Sequence, residues 1–218
     1  KTALQAGIDY DRVYLSPSSH ASYYPGGKVM TMKILWEKGS KRLLGAQIIG
    51  ADGVDKRIDV LAAAMAAGIT APQLAELDLA YAPPYSSAKD PVNMAGFMIE
   101  NIVNGKVSQF FREEADALPR DGSLNLVDVR TEGEYRSGHL EGFQNIPVDQ
   151  LRERLSELDP QKPVRLVCQS GLRSYLACRI LSQNGFTCSH LAGGYRLYET
   201  VRKERCAAEE AWPCGMEK

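Results

Sequence analysis

The chain has 218 residues, of which 44% are hydrophobic and 24% charged, and it carries a net charge of −1 at neutral pH. That length suits one large or two small domains. The composition is that of a core-forming chain and excludes wholesale disorder. The lack of basic excess argues against a nucleic-acid partner, and no uncharged apolar run approaches the roughly 18 residues of a membrane span. No secretory leader opens the chain, and a first residue Lys1 points to an origin inside a longer polypeptide. The cysteines are Cys168, Cys178, Cys188, Cys206 and Cys214, an odd number confined to the second half. Neither a secreted disulfide scaffold nor a CxxC metal site is expected, so the chain reads as cytoplasmic, with reduced thiols and no metal.

In chain order, residues 28–37 set Met30, Met32, Ile34 and Trp36 on one face by period two, and residues 42–51 follow a turn as a second strand. Residues 54–67 predict a helix with the stripe Val54, Ile58, Leu61, Ala62 and Met65, stopped by Gly68. Thr70 is the expected cap of a short helix. A proline-rich aromatic loop covers residues 79–91, and a third helix runs over 92–103 to Asn104-Gly105. Beyond residue 107 short apolar strands at 124–129, 164–168 and 188–191 alternate with helical patterns at 149–158 and 172–184. That alternation predicts a mostly parallel sheet covered by helices on both faces. Residues 206–218 read as a fraying helix end and a loose tail.

The chemistry concentrates where the strand at 164–168 ends. Cys168 closes it, Gln169, Ser170, Gly171 and Leu172 intervene, Arg173 follows, and a helix begins. Open α/β sheets bind ligands at the carboxyl ends of their strands. A tight loop into a helix turns backbone N–H groups inward and favours a thiolate. Arg173 is expected to add a fixed positive charge beside the loop. Asp128 and Arg130 are expected to pair as framework, His139 to be structural, and His190 to be packed or half exposed. Cys178 and Cys188 read as small buried hydrophobes.

This loop resembles the active-site loop of the rhodanese sulfurtransferases. The strings Leu126 to Arg130, Glu134-Tyr135, Gly138 to Gly142 and Asn145 to Pro147 resemble that family's first signature, and Leu191 to Tyr195 its closing one. The resemblance implies that Cys168 carries sulfane sulfur as a persulfide in a cradle formed by Gln169, Ser170, Gly171, Leu172 and Arg173. Related phosphatases of the same fold have one more residue between cysteine and arginine, so the shorter loop here suits a single sulfur better than phosphate.

The first half carries no catalytic motif of its own, but two loops are unusually aromatic. Tyr23 and Tyr24 lie in SHASYYPG, and Tyr81 and Tyr85 in the proline-rich loop. With LLGAQIIGADGVDKRIDVLA and LDLAYAPPYSSAKDPVNMAGF, these strings are similar to the dimerisation domain of flavin-dependent pyridine nucleotide-disulfide oxidoreductases, on the CoA-disulfide reductase branch. The resemblance implies an α+β dimerisation domain over residues 1–106, an α/β rhodanese domain over 107–205 and a tail over 206–218. It further implies a homodimer in which two tyrosines reach the partner's disulfide site, at the matching positions Tyr23 and Tyr81, with Tyr24 and Tyr85 as the nearby competitors. The parent enzyme would use FAD, NAD(P)H and CoA on CoA disulfide, persulfide or polysulfide, its nucleotide-binding domains lying outside these residues. The alternatives are a thiosulfate-type sulfurtransferase with a non-catalytic dimerisation domain, and a non-catalytic docking module. Cys206 or Cys214 could pair with Cys168 or with each other.

Overall fold

Alternation along Thr31–Glu37 (β2) buries Met32, Ile34 and Trp36 and turns their neighbours outward. Β2 is the middle strand of an antiparallel sheet, flanked by Tyr10–Leu15 (β1) and Leu43–Ile49 (β3), with Val13 opposite Ile34 and Ile34 opposite Ala46. The computed structural model describes residues 2–210, with side chains through residue 204, and the chain divides into two compact units, Lys1–Lys106 and Val107–Lys218.

In the first unit a short helix, Thr2–Gln5 (α1), precedes the sheet, and Val54–Ala66 (α2) and Pro91–Val103 (α3) contribute to its core. That core joins Val13, Met30, Met32, Ile34 and Trp36 to Leu61, Leu74, Val92, Ala95 and Ile99. The buried face of α2 is Arg57, Leu61 and Ala64, while Ala62 is exposed, so the expected stripe is rotated toward a buried arginine. Thr70 does not cap. It donates from its N–H and hydroxyl to Gln73, and Pro72–Glu76 forms a 3₁₀ turn with Ala71 before it. Α3 begins with Asp90 as N-cap in a reciprocal capping box with Asn93 and Pro91 in the first turn.

The second unit is a parallel sheet of order β4-β8-β7-β5-β6 with helices. Its elements are Gln109–Phe110 (β4), Arg112–Ala117 (α4), Asn125–Asp128 (β5), Glu132–Arg136 (α5), Gln144–Asn145 (β6), Val164–Val167 (β7), Leu172–Gln183 (α6), Cys188–Leu191 (β8) and Gly194–Glu210 (α7). After β5 the chain moves outward to β6, then returns to β5's other side for β7, so the order switches between β5 and β7. Ligands of such sheets bind at that switch.

The helix expected over residues 149–158 is absent as an α-helix. The segment instead runs through tight turns closed largely by i→i−3 bonds, such as Leu151 N to Val148 O, with a 3₁₀ turn at Leu155–Glu157. Leu151, Leu155 and Leu158 have helical spacing, but 3₁₀-type turns place i and i+3 on one side equally well, and Leu151 and Leu158 are buried that way. The proposed thiol pairs of Cys206 and Cys214 lie outside the described side chains.

Candidate functional site

Cys168 follows β7 at the switch point, where the backbone must turn sharply into α6. Gly171 makes the turn with φ of 110°, a region in which an L side chain is strained. The turn brings the Gly171 N–H to 3.1 Å from Cys168 Sγ, and the Ser174 hydroxyl, in the first turn of α6, lies 3.3 Å from the same sulfur and 3.0 Å from Gly171 O, so its single proton serves one of the two at a time. Cys168 is 1% exposed. The sulfur thus sits on the floor of the loop under the Gly171 N–H, with the Ser174 hydroxyl able to turn its proton from Gly171 O to the sulfur. Gln169, Ser170 and Leu172 form the rim and make no hydrogen bond to Sγ among the described residues.

The loop is braced from two sides. Arg130 lies against Asp128 with Nε 3.0 Å and Nη2 2.7 Å from its carboxylate, reaches Gly138 O at 2.7 Å, and donates to the Gln169 side chain at 3.1 Å. Its guanidinium also stacks over Tyr195 at 4.1 Å. The expected Asp128–Arg130 framework pair is therefore present and buried. From the other side, Tyr195 N–H donates to Cys168 O at 2.8 Å and Arg196 N–H to Gln169 O at 3.1 Å. Gly194 approaches so closely that a Cβ there would lie 2.7 Å from Cys168 O and Ser170 N.

Arg173 stands beside the loop, but its charge is not free. Its two terminal nitrogens hold both carboxylate oxygens of Glu134 at 2.7 and 2.6 Å. That bidentate bond, helped by the Thr131 N–H and hydroxyl, holds the Glu134 carboxyl down at about 2. His139 is exposed and stacked on Tyr135 at 3.9 Å. His190 is fully buried, which lowers its imidazole to about 4 and keeps it neutral. Cys178 is buried and Cys188 half-buried; the hydrogen bond with Cys188, and then burial, push the Cys178 thiol up. Ser174 and Glu134 are site residues to which the sequence reading assigned no role. Ser174 carries a signal, a hydroxyl in the first turn after the cysteine loop, and Glu134 lies three residues after Thr131 in capping-box spacing.

In the first unit the two aromatic loops meet. Tyr23 and Tyr81, 58 residues apart, share a hydrogen bond of 2.8 Å between their hydroxyls, and both are exposed. Tyr85 is exposed beside them in sequence, and Tyr24 packs edge-on against His20 at 5.6 Å. The hydrogen bond with Tyr23 pushes the Tyr81 phenol up, and either hydroxyl can be the donor in it. The loops are pinned by Arg57, which is 1% exposed. It donates to Ser19 O at 2.8 Å in one loop, to Tyr85 O at 3.2 Å in the other, and to Asp90 at 2.9 Å. Among the described residues no group of three or more His, Cys, Asp or Glu side chains could hold a metal, and no helix is long and apolar enough to cross a membrane.

Comparison with known proteins agrees with this two-part architecture. Residues 1–91 match the pyridine nucleotide-disulphide oxidoreductase dimerisation domain, and residues 111–200 match the rhodanese-like domain. Coenzyme A disulfide reductase of Staphylococcus epidermidis is 45% identical over 90 residues, 41% of this chain and 20% of its own length. The crystal structure of reduced Bacillus anthracis CoADR-RHD is 43% identical with a TM-score of 0.90, over 94% of this chain and 36% of that one. A NAD-dependent persulfide reductase from A. fulgidus is 42% identical with a TM-score of 0.79, over 88% and 35%. The chain thus spans about a fifth of the curated relative and about a third of each solved one. Its residues 1–91 and 111–200 thus match, in tandem, a pyridine nucleotide-disulphide oxidoreductase dimerisation domain and a rhodanese-like domain.

Proposed function

We propose that Cys168 accepts a sulfane sulfur and carries it as Cys–S–SH, within a polypeptide that reduces CoA disulfide, persulfide or polysulfide. The observation that carries this reading is the setting of Cys168 Sγ at the end of a buried central strand, under the Gly171 N–H and beside the Ser174 hydroxyl, which can turn its proton from Gly171 O to a sulfur anion. These two groups lower the cost of a sulfur anion before transfer and of the persulfide anion after it. The thiolate attacks the outer sulfur of a donor R–S–SH, the donor's S–S bond breaks, and the departing thiolate takes the donor's proton to leave as RSH. Arg130 holds the Gln169 side chain, and the Tyr195 and Arg196 N–H groups hold the loop's backbone, while the sulfur changes hands.

Electrons for a reductase would come from NAD(P)H through FAD, as the family resemblance and the relatives' names imply. Neither unit has the Gly-x-Gly-x-x-Gly turn between strand and helix that a dinucleotide's pyrophosphate needs. These residues do not fit either cofactor by themselves. What the first unit offers is a homodimer surface and a rigid phenol pair. In this reading Tyr23 donates to the Tyr81 oxygen, which leaves the Tyr81 proton to be donated to a departing thiolate at the partner subunit's disulfide site.

The test is persulfide mapping. Incubated with a sulfane donor, the protein should gain one sulfur atom by intact mass, on the peptide containing Cys168. Cys168→Ser should gain none. Undiminished loading in that variant would return Cys168 to a packing role and move the chemistry elsewhere.

A further inference from the structure

Two guanidinium groups reach the Cys168 loop with their side chains, and neither brings a free charge. Arg173 is locked on Glu134 at 2.7 and 2.6 Å, and Arg130 on Asp128 at 3.0 and 2.7 Å. Arg196 touches the loop through its backbone N–H. A cation held against its counter-charge presents a dipole, whose field falls off faster than a single charge's and is screened further by salt. Gln169 and Ser170, on the rim, are uncharged. Beyond the loop's own N–H donors and the exposed Arg196 side chain, the rim side chains therefore add little net charge to attract a doubly charged anion.

The outward side is apolar. Leu172, the last residue between Cys168 and Arg173, is 63% exposed, and Leu176 is 46% exposed. Four residues apart on α6, their side chains are neighbours on one helix face. A single exposed leucine needs no explanation, but this pair begins at the rim of a loop whose cysteine is almost closed off from water. A donor can present only a narrow terminal sulfur to the floor, so the rest of it must lie outside, against whatever the rim provides.

From this combination we infer that Leu172 and Leu176 are specificity-determining residues, seating the carbon arm of an alkyl persulfide in preference to an inorganic sulfane donor. The inference rests on the reading of Cys168 as sulfur acceptor and adds the chemical class of its donor. Both donors deliver the same atom. An alkyl persulfide gives Cys–S⁻ + R–S–SH → Cys–S–S⁻ + RSH, and thiosulfate gives Cys–S⁻ + S–SO₃²⁻ → Cys–S–S⁻ + SO₃²⁻. They differ in what the rim must accommodate, an apolar chain or a dianion.

The experiment follows the rate at which Cys168 gains one sulfur atom, by quenched-flow intact mass, with methyl, butyl and hexyl persulfides and with thiosulfate. In the wild-type chain the rate should rise with alkyl length. Leu172→Asn should lower the ratio of hexyl persulfide to thiosulfate rates roughly tenfold, the scale of partly burying one leucine, and Leu176→Asn should lower it less. Glu134→Gln, which frees the Arg173 charge while leaving a side chain able to complete the capping box, should move the same ratio toward thiosulfate. Rates indifferent to chain length, or a ratio unchanged in both leucine variants, would overturn the inference while leaving Cys168 as sulfur carrier. Failure of the wild-type chain to load from any donor, or full loading of Cys168→Ser, would remove the underlying reading with it.

Discussion

At Glu134 a single carboxylate serves two structures, because its oxygens take the Arg173 guanidinium and also close the N-terminus of α5 through Thr131. The Arg173 bond is the main reason its carboxyl sits at about 2 rather than the ordinary 4.5. A depressed carboxyl contributes stability that is complete above its unfolded value and disappears as pH falls through its folded one. Wild type should therefore exceed Glu134→Gln in stability at neutral pH, with the gap closing between pH 4.5 and about 2. The side chain is about a third exposed, so solvent screening limits the gap to about 1 kcal/mol. Melting temperatures of both proteins across that range give the answer, and a gap that persists at the acid end would mean the ion pair is not its source. The pairing also shows what a sequence yields at residue scale. Cys168 and Arg173 are legible because their spacing is short and local. That Arg173 is neutralised is not, because Glu134 lies 39 residues earlier and meets it only once β5 and β7 stand side by side.

At the scale of elements, Arg57 is the crossing point of α2, α3 and both tyrosine loops. Burial would raise the Asp90 carboxyl, but the Val92 N–H, the Ser86 hydroxyl and Arg57 together hold it below its usual value, so the pair is ionic and buried. Lys56 adds a second cation, 3.6 Å from the Asp90 carboxylate, and donates to Ala80 O at 3.4 Å, next to Tyr81. Removing one partner of a buried pair strands the other and costs about 3–5 kcal/mol. Arg57→Ala should lower the unfolding free energy by about that amount in a denaturant titration, and a loss below about 1 kcal/mol would show that the loops hold without it. In the sequence Arg57 fits the same face as Leu61 and Ala64, at i, i+4 and i+7, yet a stripe chosen for apolar residues alone passes over it. Strand β2 was readable from strict alternation and helix α3 from its Asn104-Gly105 stop, whereas the Asp90-Pro91 start of α3 was read as loop. Strand β1 was not, because Tyr10–Leu15 buries fully only Val13 and Leu15, and β4 and β6 are two residues each, too short to show a period.

For the molecule as a whole, the question is what the exposed aromatics of the first unit face. Tyr23, Tyr24, Tyr81, Tyr85 and Val29 all stand in water in the isolated chain, and surface of that kind marks an interaction site. An obligate homodimer of the sort a dimerisation domain makes would bury more than about 2,000 Å² in total. Sedimentation at micromolar concentration should accordingly find a dimer, and a strictly monomeric species would place the dimer contacts in other parts of the polypeptide. Catalysis by the phenols is a separate matter, tested in the full-length polypeptide. Tyr81→Phe keeps the ring and removes the hydroxyl that Tyr23 holds at 2.8 Å. Loss of a hydrogen bond to a departing thiolate, worth about 1.4 kcal/mol, would slow disulfide reduction about tenfold at unchanged melting temperature. A mixed dimer then separates action across the subunits from action within one. Let one subunit carry Tyr81→Phe and the other lack the redox cysteine that the resemblance to flavin-dependent disulfide oxidoreductases implies beside the flavin, outside these residues. The only working cysteine belongs to the subunit with the altered tyrosine. If the phenol acts in trans, that cysteine faces the intact Tyr81 of the other subunit, and the mixed dimer should retain half of wild-type activity. If it acts in cis, the cysteine faces phenylalanine, and activity should fall to half that of the Tyr81→Phe homodimer. The two outcomes differ by the full tenfold effect of the hydroxyl, so the second would refute the trans assignment without ambiguity about folding, since both subunits keep the ring and the Arg57 anchor that holds the loops.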